Sequence, residues 1–459
     1  MRSLAAARTL FVTLVAAILV LSGARGIAAT DSELAAKAEA LIAPIVKADK
    51  FSGAVLVARD GKPVFRKGFG LANREWNIPN DTETKFRIGS ITKQFTATAI
   101  LQLQEAGKLS IDDPVSKYYT DAPAAWSGIT IKHLLTHTSG IPSYTDIPHF
   151  FEEGARSDRT PAEIIKLMVD KPLAFPPGSK FAYDNGGYVL LGYIVEKVSG
   201  ERYADYLQHH VFDPLGMTST GYDVTDTIIP KRAAGYSRNK SGFINTPYLS
   251  MTEPFSAGSL YSTVGDLLVW DQALYAQKPL KPASLQAMFT DYGHHYGFGW
   301  SVEDASGHQR IWHNGGINGF VTQFDRYPKD KLTVVVFSNE DSAPIAGIAA
   351  GLAEIYLGIP PHTAVAGGDA ILRRNIEAMR AGAPLYSDMS EGLADATRKQ
   401  LPGLQKTLAG LGAIRSITLL GADPGGMDRY QVAFDKGVTE WNIIVKDGKL
   451  DTAWFNANP

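Results

Sequence analysis

The chain has 459 residues, of which 45% are hydrophobic and 20% are charged, and its formal net charge is −2. This balance is typical of a folded globular protein, and the lack of a basic block argues against nucleic acid as a partner. The sequence contains no cysteine, which excludes disulfides, a thiol nucleophile and thiolate metal sites.

Residues 1–29 have the pattern of a secretory signal peptide. Arg2 and Arg8 form a basic start, residues 10–21 form an apolar run, and residues 26–29 offer small side chains for cleavage. The alternative is an uncleaved membrane anchor, but the apolar run is short for crossing a bilayer. We therefore expect an exported protein, in the bacterial periplasm or secreted, with no membrane span after cleavage.

Residues 30–358 carry the predicted elements of one large domain. The pattern predicts a helix over residues 32–50 and a β-hairpin with strands at 53–59 and 63–68. The closing elements are three strands and a helix, at residues 309–313, 320–327, 332–338 and 343–357. Elements from both ends can pair, so we expect an α/β (α+β) fold with one antiparallel sheet flanked by helices. The mostly helical residues 111–258 are expected to form a separate lobe, leaving a cleft against the sheet.

A second, smaller unit is predicted near the C-terminus. Residues 359–368 are rich in glycine and proline and are interpreted as a linker. Residues 369–459 predict a small α+β domain, whose first helix carries Leu372, Ile376 and Met379 on one face. A helix over residues 393–411 and four strands at 414–420, 430–434, 441–445 and 450–454 complete it. It contains no convincing pair of nucleophile and base, so its role stays open.

The candidate chemistry begins at Ser90 and Lys93, which lie three residues apart in a predicted helix. Residues with this spacing share a helix face. A lysine amine there can accept the serine proton if burial or a neighbouring cation keeps it neutral. The serine would also sit at the helix N-terminus, where free N–H groups favour negative charge. Ser237 and Lys240 have the same spacing, but we interpret that polar stretch as a loop.

Two further patterns follow in the same domain. Tyr183-Asp184-Asn185 lies on a predicted loop that precedes a helix-like run. His313-Asn314-Gly315-Gly316 lies at the end of a predicted strand, and His295-Tyr296-Gly297 is a rival whose surroundings look like the start of a strand. The ten histidines include no His-Glu-x-x-His pattern, so we expect no catalytic metal and no cofactor.

Each candidate also has an ordinary structural explanation. Ser90 is a favoured residue for a helix cap, and Lys93 can be a solvated surface lysine. Tyr183 can be an aromatic residue that packs within a loop, and Asn185 can form part of a turn. His313 can make local hydrogen bonds at the end of a strand. His137, in a Thr-His-Thr run, is interpreted as a residue that braces its loop.

Taken in order, the motifs resemble those of the serine β-lactamase and penicillin-binding-protein superfamily. The closest resemblance is to its class C-like branch, which includes D-aminopeptidases, D,D-carboxypeptidases and family VIII esterases. Residues 134–142 and 257–263 strengthen the resemblance, which covers about residues 35–357. It implies a β-lactamase/transpeptidase-like fold.

Carried over to this sequence, the resemblance implies a set of catalytic roles. Ser90 Oγ would attack a carbonyl carbon to form an acyl-enzyme, and Lys93 would help to deprotonate it. Tyr183 would be the general base or proton shuttle, as a phenolate or as a hydrogen-bonded phenol beside cationic groups. The backbone N–H groups of Ser90 and Gly316 would form the oxyanion hole. Asn185 would hydrogen-bond the substrate, and water would complete the hydrolysis.

Two departures from the family pattern bear on the substrate. His313-Asn314-Gly315 stands where typical members carry Lys-Thr-Gly, whose lysine and hydroxyl help to hold a substrate carboxylate. Histidine is only partly charged at neutral pH, so we expect weak carboxylate recognition and a preference for esters, or for amides without that group. Asp184 stands where a small residue is common, and it would disfavour anionic substrates if it faced the cleft.

We therefore predict an exported serine hydrolase that acts on an ester or amide of a small molecule or peptide. The alternatives are D,D-peptidase or β-lactamase activity on peptidoglycan-type substrates, or a non-catalytic penicillin-binding-like sensor of peptidoglycan. The presence of Ser90, Lys93 and Tyr183 counts against the sensor. The sequence leaves the physiological substrate and the oligomeric state open.

Overall fold

A computed structural model describes residues 30–458 apart from 152–153, 361–362 and 424–426. The predicted signal peptide, residues 1–29, lies outside the described residues. Within the described ranges, every helix is too short or too polar to cross a membrane.

The helices and strands are numbered in chain order. The helices are α1 (Asp31–Lys47), α2 (Thr92–Glu105), α3 (Ile131–Leu135), α4 (Pro161–Val169), α5 (Asn185–Ser199), α6 (Tyr203–Leu207), α7 (Asp213–Leu215), α8 (Phe255–Gly258), α9 (Val264–Tyr275), α10 (Pro282–Met288), α11 (Ile345–Leu357), α12 (Gly368–Arg380) and α13 (Glu391–Leu411). The strands are β1 (Gly53–Arg59), β2 (Lys62–Phe69), β3 (Leu71–Asn73), β4 (Ile78–Pro79), β5 (Phe86–Arg87), β6 (Gly221–Tyr222), β7 (Tyr236–Asn239), β8 (Gly242–Asn245), β9 (Leu260–Ser262), β10 (Ser301–Ala305), β11 (His308–Ile317), β12 (Phe320–Tyr327), β13 (Leu332–Ser338), β14 (Ile414–Asp423), β15 (Met427–Phe434), β16 (Gly437–Lys446) and β17 (Lys449–Asn458).

A six-stranded antiparallel sheet lies at the centre of the first unit, in the order β10, β11, β12, β13, β1, β2. Strand β1 pairs with β13 from Gly53 opposite Ser338 to Arg59 opposite Leu332. Every residue of β13 is buried, because this apolar strand is covered on both faces. The two ends of the unit therefore meet in the middle of the sheet, and the predicted fold class is confirmed.

The two faces of the central strands belong to separate apolar clusters. Val55 and Val57 pack with residues of α1 and α11. Ala54 and Leu56 belong to a larger cluster that includes residues of α2 and α5. Successive side chains of a strand point to opposite faces, so α2 and the helical lobe lie across the sheet from α1 and α11.

Two local predictions are wrong, and the strand start expected around His295-Tyr296-Gly297 lies slightly later, at Ser301 of β10. Strand β11 continues to Ile317 instead of ending at His313. Ser237 lies in strand β7, where it pairs with Ile244 of β8, and not in a loop. Glycine and polar residues are poor strand formers in isolation, but backbone pairing with a neighbouring strand overrides this preference.

The C-terminal unit is a four-stranded antiparallel sheet in the order β14, β15, β16, β17, with helices α12 and α13. Leu372, Ile376 and Met379, predicted as one helix face, are all buried in its apolar cluster. That cluster is separate from the two clusters of the first unit. The exact domain limits, with a linker at 359–368, stay a prediction.

Removal of residues 359–459 is expected to leave the first unit folded, because the C-terminal unit has its own apolar cluster. A chain ending at residue 358 should unfold cooperatively, within about 5 °C of the full chain, as measured by circular dichroism. A matched truncation before α11 removes the buried Ile348 and Leu352 and should abolish the transition. Loss of cooperative unfolding in the chain ending at 358 would contradict the two-unit organisation.

Candidate active site

Ser90 lies where the chain turns from β5 into α2. Residues Gly89–Ile91 form a 3₁₀ turn that continues into the helix. Gly89 has a φ of 52°, and a Cβ on it would lie 3.0 Å from the backbone nitrogen of Gly316. A glycine allows this backbone conformation and this close approach. The Ser90 turn is therefore held against strand β11.

Lys93 is fully buried in the first turn of α2. Its Nζ lies 3.0 Å from Ser90 Oγ, 2.8 Å from Asn185 Oδ1 and 2.9 Å from the carbonyl oxygen of Ala257. Burial lowers the pKa of Lys93 well below 10.5, although Asp184 partly opposes the shift. A neutral amine has two N–H donors and one lone pair. These match the two carbonyl oxygens and the serine hydroxyl, so Lys93 is placed to accept the Ser90 proton.

Tyr183 closes the other side of this group. Lys93 Nζ lies 4.7 Å from the centre of the Tyr183 ring. The side chain is 40% exposed, and Ser90 is its neighbour in the site. Burial raises the pKa of Tyr183, an effect that the neighbouring Ser90 hydroxyl only partly opposes. Of the two forms predicted for Tyr183, the resting site therefore holds the neutral phenol.

Asp184 and Asn185 lie at the start of helix α5. Asp184 is buried and caps the helix, since its carboxylate accepts hydrogen bonds from the N–H groups of Gly186 at 2.7 Å and Gly187 at 2.9 Å. Burial raises the pKa of Asp184 to about 7. The carboxylate thus caps helix α5 and does not face the cleft. Asn185 Nδ2 donates to Thr145 Oγ1 at 3.2 Å, which fixes its Oδ1 toward Lys93.

His313 is buried behind the cleft wall and is not a cation. Its Nε2 lies 2.9 Å from the hydroxyl of Tyr296, and its Nδ1 lies 2.6 Å from the carbonyl oxygen of Asn314. Burial and the nearby Lys93 lower the pKa of His313 to about 3. The expectation of a partly charged histidine at neutral pH is therefore wrong, because water is excluded from the ring.

The following residues of β11 alternate between the cleft side and the interior. Asn314 and Gly316 are exposed, whereas Gly315 is buried. A Cβ on Gly315 would meet the carbonyl oxygen of Ile88 at 2.0 Å, but one on Gly316 would meet nothing within 4 Å. Glycine at 315 therefore lets β11 pack against the Ser90 turn, and Gly316 faces open space.

Two residues outside the predicted set brace the site. The hydroxyl of Tyr296 lies 3.3 Å from His137 Nε2, in addition to its contact with His313. His137 Nδ1 accepts the backbone N–H of Asp184 at 3.0 Å, and its ring centre lies 4.3 Å from that of Tyr183. The bracing interpretation of His137 agrees with these contacts. Tyr296 lies in the His295-Tyr296-Gly297 pattern, which was not assigned to the site. Its position in the site is shown only by its contacts with His137 and His313, which are distant in the sequence.

The site opens into a cleft of about 80 Å³ between the helical lobe and β11. Ser90, Asn185 and Gly316 lie in its wall. The other lining residues are Tyr144, Thr145, Phe150, Phe151, Leu249, Glu253, Pro254, Ala257, Gly258, Ile317 and Asn318. Over the residues with described positions, no three His, Asp or Glu side chains come together as a metal site.

Comparison with known proteins places the chain in a family. A family model described as Beta-lactamase matches residues 38–355. The chain belongs to the β-lactamase family. The protein PbpX of Bacillus subtilis is 37% identical over 292 residues, which cover 63% of this chain and 71% of PbpX. The predicted resemblance is confirmed, and this chain is a serine hydrolase of the β-lactamase family.

Solved structures share the fold. The octameric penicillin-binding protein homologue from Pyrococcus abyssi is 27% identical with a TM-score of 0.64, over 92% of this chain and 90% of that chain. A D-stereospecific amidohydrolase from Streptomyces is 28% identical with a TM-score of 0.59, over 71% of this chain and 98% of that chain. The fold of this β-lactamase-family member thus occurs in proteins named for different activities.

The protonation of Lys93 is expected to set the acid limb of the pH profile. Activity requires the neutral amine, so it is present above the lowered pKa of Lys93 and lost as the pH falls through it. The measurement is kcat/KM for p-nitrophenyl butyrate between about pH 5 and 10. Lys93→Arg, whose guanidinium stays protonated, should lose at least about 100-fold in kcat/KM.

Lys240→Arg is the matched control, since Lys240 belongs to the second Ser-x-x-Lys spacing. It should retain the wild-type profile. A kcat/KM that still rises tenfold per pH unit up to about pH 10, or a Lys93→Arg enzyme with wild-type activity, would contradict the role of the buried amine.

Proposed function

We propose that this protein hydrolyses an ester or an amide through an acyl-enzyme on Ser90, with Lys93 and Tyr183 as proton-transfer groups. The observation that carries the proposal is the buried Lys93 amine, 3.0 Å from Ser90 Oγ and with a lowered pKa. A weakly basic, desolvated amine is suited to remove a hydroxyl proton near neutral pH.

Acylation begins when the Ser90 hydroxyl gives its proton to Lys93 and Oγ attacks the substrate carbonyl. The backbone N–H groups of Ser90 and Gly316 stabilise the oxyanion, because strand β11 passes so close to the Ser90 turn that a Cβ on Gly89 would lie 3.0 Å from the Gly316 nitrogen. Donors of this kind contribute about 3 kcal/mol each where they have been measured. Tyr183 then gives its phenolic proton to the leaving alkoxide or amine, and the Lys93 ammonium stabilises the phenolate.

Deacylation uses the same groups in reverse. The Tyr183 phenolate removes a proton from water, and the resulting hydroxide attacks the acyl carbonyl. Ser90 leaves as the alkoxide and regains its proton from the Lys93 ammonium. Both groups return to the neutral forms that their shifted pKa values favour.

The preference for substrates without a carboxylate next to β11 is part of the proposal. His313 is neutral and both of its nitrogens are engaged within the protein. Asn314 offers an amide but no charge at the exposed face of the strand. This arrangement supports esters and simple amides over β-lactams and terminal D-alanine peptides. Export is proposed on the pattern of residues 1–29 alone.

Ser90→Ala is expected to abolish hydrolysis of p-nitrophenyl butyrate, because it removes the hydroxyl that forms the acyl-enzyme. The measurement is the steady-state rate, together with the intact mass after reaction with a fluorophosphonate. Ser237→Ala removes the serine of the second Ser-x-x-Lys spacing, which lies in β7, and serves as the matched control with full activity. Retention of more than a few per cent of activity by Ser90→Ala would refute the assignment.

Hydrolysis of the β-lactam nitrocefin is expected to be at least about 100-fold slower than ester hydrolysis in kcat/KM, because the neutral His313 does not supply a cation for its carboxylate. Both rates are measured by absorbance with the same enzyme preparation. Comparable rates on the two substrates would contradict the proposed preference and favour a β-lactamase or D,D-peptidase.

A further inference from the structure

His137 contacts the chain on both sides of Tyr183. Its carbonyl oxygen accepts the backbone N–H of Ala182 at 2.9 Å, and its Nδ1 accepts the backbone N–H of Asp184 at 3.0 Å. The centre of its ring lies 4.3 Å from the centre of the Tyr183 ring. One residue thus holds the backbone before and after Tyr183 and packs against its side chain. The position of the Tyr183 phenol therefore depends on His137.

The backbone of His137 is in the left-handed region, with a φ of 56°, and the residue is only 1% exposed. This conformation is uncommon for a residue other than glycine, and it persists where the surrounding structure holds it. The ring is enclosed by those of Tyr183, Tyr188 and Tyr296, whose centres lie 4.3, 5.0 and 4.9 Å away. Residues held in such conformations cluster at functional sites. The structure thus places a constrained histidine directly beside the proposed proton donor.

The hydrogen-bond partners of His137 decide which of its ring nitrogens carries the proton. Burial lowers the pKa of His137 well below 6.5, so the ring is neutral and has one N–H group. Nδ1 accepts the N–H of Asp184, and a ring nitrogen that accepts a hydrogen bond carries no proton. The proton is therefore on Nε2, which lies 3.3 Å from the hydroxyl oxygen of Tyr296.

His313 has the opposite tautomer. Its Nδ1 lies 2.6 Å from the carbonyl oxygen of Asn314, and a carbonyl oxygen only accepts, so Nδ1 carries the proton. Its Nε2 is then the acceptor for the Tyr296 hydroxyl, 2.9 Å away. The hydroxyl accepts from His137 and donates to His313, so the hydrogen bonds run in one direction from Asp184 to Asn314.

We propose that His137 and Tyr296 are positioning residues for Tyr183, and that this chain of hydrogen bonds places the phenol to give its proton to the leaving group. The inference rests on the proposed function, in which Tyr183 protonates the leaving alkoxide or amine. Loss of the Tyr296 hydroxyl leaves His137 Nε2–H without an acceptor and His313 Nε2 without a donor. An unpaired buried N–H is costly, so the His137 ring shifts, and the Tyr183 ring shifts with it.

The first test determines the two tautomers by NMR at neutral pH. Proton–nitrogen spectra of imidazole side chains distinguish a proton on Nδ1 from one on Nε2, and the signals are assigned by their loss in His137→Asn and His313→Asn. Wild-type protein should carry the proton on Nε2 of His137 and on Nδ1 of His313. Tyr296→Phe should remove the hydrogen bond from the His137 N–H, which is measured as faster exchange of that proton with water.

The second test compares a good and a poor leaving group. p-Nitrophenolate leaves without a proton, whereas the ethoxide of ethyl butyrate requires one, and both butyrate esters form the same acyl-enzyme. The ratio of kcat/KM for p-nitrophenyl butyrate over ethyl butyrate should therefore rise at least about tenfold in Tyr296→Phe and in His137→Asn. Asparagine tolerates the left-handed backbone but lacks the imidazole ring. A general loss of folded protein lowers both rates equally and leaves the ratio unchanged.

Tyr203→Phe is the matched control. Tyr203 is fully buried, and its hydroxyl lies 2.7 Å from Thr96 Oγ1. It is not among the residues that line the cleft. Tyr203→Phe and Tyr296→Phe each remove one buried hydroxyl, and Tyr203→Phe should keep the wild-type ratio and the wild-type tautomers.

The results are decisive in either direction. Wild-type histidines that both carry the proton on the same ring position would overturn the inference, even if Tyr296→Phe fails to fold. An unchanged leaving-group ratio in folded Tyr296→Phe would also overturn it. Hydrolysis of both esters by Ser90→Ala would refute the proposed function, and the tautomers measured in that variant would still decide whether the hydrogen-bond chain exists.

Discussion

The burial of one lysine amine between three distant parts of the chain is the constraint on which the site depends. Lys93 comes from α2, Asn185 from the start of α5, and Ala257 from α8. An amine without access to water must find partners in the protein, and it loses its proton more easily there. In its neutral form the amine donates to the two carbonyl oxygens, which leaves its lone pair for Ser90 Oγ, 3.0 Å away. The reactivity assigned to the serine thus follows from how the lobe packs on the sheet.

The sheet supplies the second requirement, a strand edge close to the nucleophile. Glycine at 89 and at 315 removes the side chains that would keep the Ser90 turn and β11 apart. Behind this contact, Tyr296 joins His137 and His313 in a buried polar group. The group holds rings and backbone in place with neutral imidazoles, because desolvation lowers the pKa of both histidines. The histidine of β11 that faces this group therefore carries no charge.

The proton-transfer residues and the cleft wall contribute to different aspects of function. The roles proposed for Ser90, Lys93 and Tyr183 account for acyl transfer in general, and relatives with the same fold carry names of different activities. Discrimination between substrates has to come from the side chains that surround the acyl and leaving groups. In this protein the cleft wall carries the rings of Tyr144, Phe150 and Phe151 together with the uncharged residues Gly316 and Ile317 of β11.

Local spacing in the sequence was enough for the Ser-x-x-Lys turn, the first hairpin and the closing strands, because helix and strand periodicities act over a few residues. The family resemblance came from the identity and order of the motifs. It was not enough for Ser237, which pairing with β8 makes part of a strand. Nor could it decide the charge of His313, the direction of Asp184 or the place of Tyr296. Those properties depend on burial and on contacts between residues far apart in the chain, and only the folded arrangement brings these together.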